Sequence, residues 1–157
     1  FTRCYNMECI GLRYFNIFGP RQDPNGAYAA VIPKFITLLK HGKRPTINGD
    51  GTYSRDFTYI ENAVQANILA LCGEIDFSCF GEAFNIGAGG QFSLLEMLRI
   101  IKRELKSDIE PEFGPNRPGD IPHSNANISK AQTMLGYNPN ITFEMGIKKY
   151  MKVFSCN

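Results

Sequence analysis

One segment constrains the fold more than any other: Cys9-Ile10-Gly11-Leu12-Arg13-Tyr14-Phe15-Asn16-Ile17-Phe18. It is apolar and aromatic almost throughout, which reads as a buried strand rather than one that alternates between core and water. Such a strand belongs inside a parallel sheet. Phe1 to Tyr5 ahead of it reads as the end of a helix. An independent domain seldom opens in this way, so we expect an N-terminal half beyond these 157 residues.

The rest of the chain alternates strand and helix character, which implies an α/β or α+β fold. Gly19 to Gly26 is a turn-rich loop. Ala27 to His41 reads as a helix stopped by Gly42 and Pro45, with a kink or a new start expected at Pro33. Thr46 to Tyr59 reads as two short strands about a Gly49-Asp50-Gly51 turn. Glu61 to Cys72 reads as a helix with Val64, Ile68 and Leu71 on one face. Glu82 to Ile86 is a strand, and Ser93-Leu94-Leu95-Glu96 is a capping box that opens a helix running to about Lys106. Pro111 to Ser124 is extended or looped. Ser129 to Leu135 is a short helix ended by Gly136, and a last helix starts near Phe143.

Bulk properties exclude several classes. The net charge of +2 is too small to indicate a nucleic-acid or membrane partner, and no apolar run is long enough to span a bilayer. The five cysteines are odd in number and none forms a Cys-x-x-Cys pair, so free thiols in a reducing cytoplasm are expected. No metal-ligand spacing is present.

Chemistry-bearing motifs are few. No Gly-x-Gly-x-x-Gly loop and no Tyr-x-x-x-Lys pair occurs. Gly87-Ala88-Gly89-Gly90 follows a strand and precedes a helix, but its spacing fits a turn better than a phosphate cradle. Polar residues collect in loops: Asn16, Arg55 in Ser54-Arg55-Asp56-Phe57, and Arg117 and Asp120 in Arg117-Pro118-Gly119-Asp120. Two readings stand for the arginines. Each forms a surface salt bridge, or together they close on a diphosphate, whose oxygens match guanidinium forks.

Three segments carry a resemblance. Leu12 to Gln22, Ser54 to Ile60 and Arg117 to Asp120 resemble, in order and spacing, the signatures of extended short-chain dehydrogenases that act on nucleotide sugars, the NAD-dependent epimerase/dehydratase family. Asp23-Pro24-Asn25-Gly26-Ala27-Tyr28-Ala29-Ala30-Val31-Ile32-Pro33-Lys34 is similar to the bacterial UDP-N-acetylglucosamine 4-epimerase group. The resemblance implies the C-terminal part of a Rossmann-type fold. Residual sheet strands would lie near 9–18 and 82–87, followed by the small α/β substrate-binding domain, with the NAD-binding half absent. It implies NAD as cofactor, a UDP-sugar as ligand, a homodimer for the full-length protein and a cytoplasmic location.

By motif position the resemblance implies a site. The Tyr14 backbone would lie near the nicotinamide, and Asn16 would donate to the substrate diphosphate. Gln22 and Ala30 would border the sugar. Val31, Lys34, Phe35 and Asn48 would line the uridine side, although Val31 and Phe35 read equally as helix core. Arg55 and Arg117 would clamp the diphosphate, and Asp120 would accept from the uridine ribose. A small residue at Ser124 would leave room for an N-acetyl group, where a tyrosine ring would clash. The family reaction inverts C4 through a 4-keto sugar, with Tyr-x-x-x-Lys as the acid–base pair, so this chain alone is expected to be inactive. The alternatives are a sister dehydratase or decarboxylase, or a non-catalytic UDP-sugar-binding module. With its sheet strands unpartnered, the isolated chain is expected to self-associate or fold marginally.

Overall fold

The computed structural model describes residues 1–23 and 31–154. The elements run α1 (Thr2–Tyr5), β1 (Gly11–Tyr14), β2 (Ile17–Phe18), α2 (Val31–Lys40), β3 (Thr46–Asn48), β4 (Ser54–Arg55), β5 (Thr58–Tyr59) and α3 (Ile60–Cys72). They continue with β6 (Ala83–Ile86), β7 (Phe92–Ser93), α4 (Leu94–Leu105), β8 (Glu112–Gly114), β9 (His123–Ser124), α5 (Ser129–Leu135) and α6 (Phe143–Phe154). The chain is α/β, and most of its strand pairs are parallel: β1 with β6, β2 with β5, β3 with β8 and β4 with β9. Among the described residues, only β4 and β7 run antiparallel.

Several expectations need correction. The strand expected over Cys9–Phe18 is broken into β1 and β2. Asn16 takes a left-handed backbone, φ 32°, which asparagine tolerates better than most residues, and the pairing passes from β6 to β5 there. Nor is β1 buried: Gly11, Arg13 and Tyr14 are exposed. Thr46–Tyr59 holds three short strands rather than two. The Gly49–Gly51 turn is present, but β3 pairs with β8 and β4 sits between β7 and β9, so the strands flanking the turn belong to different sheets. Pro33 lies inside α2, two residues after Val31, where the described part of the helix begins. The helix start expected at Ala27 lies outside the described residues.

Two cores hold the fold together. In the first, Ile32, Phe35 and Ile36 of α2, Met97, Leu98 and Ile101 of α4, and Phe143, Ile147 and Tyr150 of α6 close around Phe18, Phe57 and Tyr59. Phe143 is its aromatic hub, with ring centroids 5.6 Å from Phe18, 5.3 Å from Phe57 and 4.7 Å from Phe92. The capping box forms as read: Ser93 Oγ accepts from Glu96 N at 3.1 Å, and Glu96 accepts from Ser93 N at 2.8 Å. In the second core, Phe84 and Ile86 of β6 pack with Ala66 of α3, Ala131 and Leu135 of α5, and Tyr137. Gly136 ends α5 with φ 64°. The Val64–Ile68–Leu71 face of α3 points to solvent at 47%, 57% and 85% exposure, while Asn62, Ala63 and Ala66 are buried.

Candidate functional site

Short parallel strands place their loops around one cavity of about 680 Å³. Asn16, at the break between β1 and β2, lines it. The Asp50 carboxylate caps its own turn, accepting from Thr52 N at 3.0 Å and Thr52 Oγ1 at 2.6 Å. Those bonds, the Thr52 hydroxyl first, hold its carboxyl below the usual aspartate range. Gly49, at φ 73°, lies directly under the Asn116 side chain. A Cβ there would collide with Asn116, so glycine lets the loop bearing Arg117 close over β3.

The wall carrying Arg55 is tied on both sides. Ser54 Oγ meets His123 Nδ1 at 2.8 Å and accepts from Gln91 Nε2 at 2.8 Å, which pins β4 to both neighbours. Arg55 Nη1 donates to Ser54 O at 2.9 Å and to Pro122 O at 3.2 Å.

Asn16, Gln22, Val31, Lys34, Phe35, Asn48, Arg55, Arg117 and Asp120 all line this cavity. Phe35, 2% exposed, also belongs to the first core, so its two readings coexist. Ser124 does not line the cavity. It is the register partner of Arg55 across β4 and β9. Tyr14 lies away from it on β1, where its hydroxyl donates to Asn67 Oδ1 at 3.0 Å. Ala30 lies outside the described residues. The lining also includes Thr46, Tyr53, Phe57 and Leu94, which the motif reading passed over. Tyr53 and Phe57 stand two residues either side of Arg55, and alternation along an extended segment is the signal that could have found them.

The charge balance favours an anion. Lys34, Arg55 and Arg117 face a single carboxylate, Asp120, in the cavity lining. Among the described residues the six ion pairs involve none of these cations. The Gly87–Gly90 turn does hold an anion, but it is the chain's own: Ala88 N and Gly89 N donate to the Asp56 carboxylate at 2.9 and 3.0 Å. That turn is therefore filled and is no cradle for a bound pyrophosphate. No group of three or more metal-ligating side chains occurs among the described residues, and no described helix is long and apolar enough to cross a membrane.

A cavity of this size in an α/β domain, lined by aromatic rings and by cations that form no ion pair among the described residues, is suited to an anionic small molecule. Comparison with known proteins takes the assignment further. Residues 1–87 match the NAD dependent epimerase/dehydratase family. A putative UDP-glucose 4-epimerase of Methanocaldococcus jannaschii is 37% identical over 149 residues, which is 95% of this chain and 46% of that protein. The UDP-N-acetylglucosamine 4-epimerase of Methanobrevibacter ruminantium M1, solved with UDP-N-acetylmuramic acid, superposes with a TM-score of 0.90 at 40% identity, covering 99% of this chain and 49% of that one. A Bacillus cereus UDP-glucuronic acid 4-epimerase, solved with NAD and a fluorinated UDP-glucuronic acid, gives a TM-score of 0.86 at 31% identity, with 99% and 48% covered. The chain belongs to the NAD dependent epimerase/dehydratase family. It spans about half the length of the relatives it matches.

Proposed function

We propose that this chain is the UDP-sugar-binding portion of an NAD-dependent 4-epimerase acting on UDP-N-acetylglucosamine or its uronic acid. The observation that carries this reading is the convergence of Asn16, Arg55, Arg117 and Asp120, from three separate stretches of chain, on one cavity with no ion pair to neutralise its arginines among the described residues. Arg55 and Arg117 grip the diphosphate and Asn16 donates to it. Asp120 accepts from the ribose, while Val31, Lys34, Phe35 and Asn48 flank the uracil. Gln22 and Ala30 border the sugar, and Ser124, next to Arg55 across β4 and β9 rather than in the cavity lining, is proposed to leave space for the N-acetyl group.

NAD supplies hydride chemistry in this family. The one candidate cradle for its pyrophosphate in these residues is filled by Asp56, so we assign no binding group to NAD beyond the Tyr14 backbone at the nicotinamide side. The 157 residues contain no Tyr-x-x-x-Lys pair. Their part in the reaction is to bind and orient the nucleotide sugar, and turnover by this chain alone is not expected. The full protein is proposed to be a cytoplasmic homodimer.

Calorimetric titration of the folded chain with UDP-N-acetylglucosamine tests the reading. Saturable heat, lost in Arg55→Ala and Arg117→Ala, is expected. A folded chain that gives no heat contradicts a preformed clamp. Ser124→Tyr is expected to weaken the N-acetylated ligand while sparing UDP-glucose, and equal weakening of both would contradict the proposed role of Ser124.

A further inference from the structure

The residue beside Arg55 is a buried carboxylate that the binding reading leaves unused. Asp56 is 0% exposed and does not line the cavity. Its Oδ1 accepts from Ala88 N at 2.9 Å and Thr58 Oγ1 at 3.2 Å. Its Oδ2 accepts from Gly89 N at 3.0 Å and Ala126 N at 3.4 Å. The donors come from three stretches of chain: β5, the turn after β6, and the segment after β9. Ala88 N is shared with Thr58 Oγ1 at 2.9 Å, which cross-links the cage.

Burying a carboxylate without a cation is costly unless hydrogen bonds compensate it, and among the described residues no ion pair reaches Asp56. The cage supplies that compensation, and the surroundings are shaped for it. A Cβ at Gly87 would collide with Asp56 Oδ2 and come 2.6 Å from Ala126 Cβ, so only glycine lets the turn approach. Tyr137 closes the cage from behind by donating from its hydroxyl to Gly87 O at 2.8 Å. Burial first, and the Asp56 charge second, push its phenol well above the usual range, so it stays a donor.

Successive side chains of an extended segment point to opposite faces. With Asp56 locked inward, Arg55 is aimed outward into the cavity. The Asp56 backbone repeats the constraint, since its N–H donates to Ser124 O at 2.9 Å.

We propose that Asp56 is a positioning residue of the diphosphate clamp, acting through Arg55. The proposal rests on the reading of the cavity as a UDP site. It predicts that the cage sets how much the diphosphate adds to binding, and leaves the nucleoside contribution alone.

The test compares UDP and uridine binding to the chain by calorimetry, alongside thermal unfolding. Asp56→Asn keeps the shape but turns an NH2 towards donors that need an acceptor. UDP affinity is expected to fall roughly tenfold, the scale of a charge-assisted hydrogen bond, with uridine affinity unchanged. Arg55→Ala combined with Asp56→Asn is expected to bind UDP no more weakly than Arg55→Ala alone. A purely structural role would lower the melting temperature and leave the UDP-to-uridine preference at its original value, or weaken both ligands equally; either result overturns the proposal. Should Asp56→Asn fail to fold, Thr58→Val removes one donor, and a smaller loss in the same preference is expected. An unchanged preference in folded Thr58→Val overturns the proposal as well. Absence of UDP binding by the unsubstituted chain overturns the site reading itself, and so is distinguishable from failure of the Asp56 role.

Discussion

The two cores of this molecule are built differently. Around Phe143, three helices close over short strands, and the cavity opens beside them, with β4 held to its neighbours through Ser54. Around Phe84, α5 covers one side, while β1 is paired with β6 alone among the described residues and α3 turns Val64, Ile68 and Leu71 to solvent. The first region has buried its apolar surface within itself. The second presents an open strand edge and an apolar helix face of the kind that marks an interaction surface. The two regions are joined where Asn62 of α3 hydrogen-bonds both backbone groups of Ile141.

The largest expected effect falls on the closed core. Phe143→Ala removes a 2% exposed ring that contacts Phe18, Phe57 and Phe92, and should cost about 3–5 kcal/mol by urea unfolding. A loss below about 1 kcal/mol would contradict the description of this region as self-contained. Next comes Arg117→Ala. Its side chain has no hydrogen bond or ion pair recorded among the described residues, so melting should be unaffected while UDP affinity drops roughly tenfold. An equal loss of stability would make Arg117 structural.

Ser93→Ala should cost about 1 kcal/mol through loss of the helix cap. The cap also carries a pH signature. Hydrogen bonds from the Ser93 backbone and hydroxyl hold the Glu96 carboxyl below its usual range. A folded-state value below the unfolded one means the stabilisation is complete above the ordinary glutamate range and is lost as pH falls through the folded value. The difference in denaturation midpoint between the original chain and Ser93→Ala should therefore narrow on acidification. A constant difference would show that the Ser93 hydroxyl contributes nothing through its bond to Glu96. The smallest effect on stability is expected in the open region. Leu71→Ser, at a position 85% exposed, should change stability by no more than about 0.5 kcal/mol, yet reduce self-association in sedimentation. Unchanged association would break the contrast between the two regions.

What could be read from the chain before its structure follows the same division. Helix ends were legible because their signals are local: the Ser93–Glu96 box and Gly136 act within a turn of themselves. The strands between Thr46 and Tyr59 were misread because their partners are remote. β3 pairs with β8, whose residues lie far along the chain, and a local turn motif carries no information about that pairing. On α3 the periodicity identified an apolar stripe correctly, but periodicity cannot say which face is covered. In the site, motifs placed Asn16, Arg55, Arg117 and Asp120 in one lining but also named Ser124 and Tyr14, which lie outside it; Tyr53 and Phe57 were accessible through alternation, and the filling of the Gly87–Gly90 turn by Asp56 not at all, since it depends on contacts between distant segments.

Backbone hydrogen exchange of the chain, with and without saturating UDP, tests the central claim most directly. The account predicts slow exchange in α2, α4 and α6 without ligand. On adding UDP it predicts new protection in residues 31–35, 46–57 and 117–120, with β1 and the outer face of α3 unchanged. Protection that appeared instead along β1 and α3, or no protection at saturation, would contradict a preformed nucleotide site in the closed region.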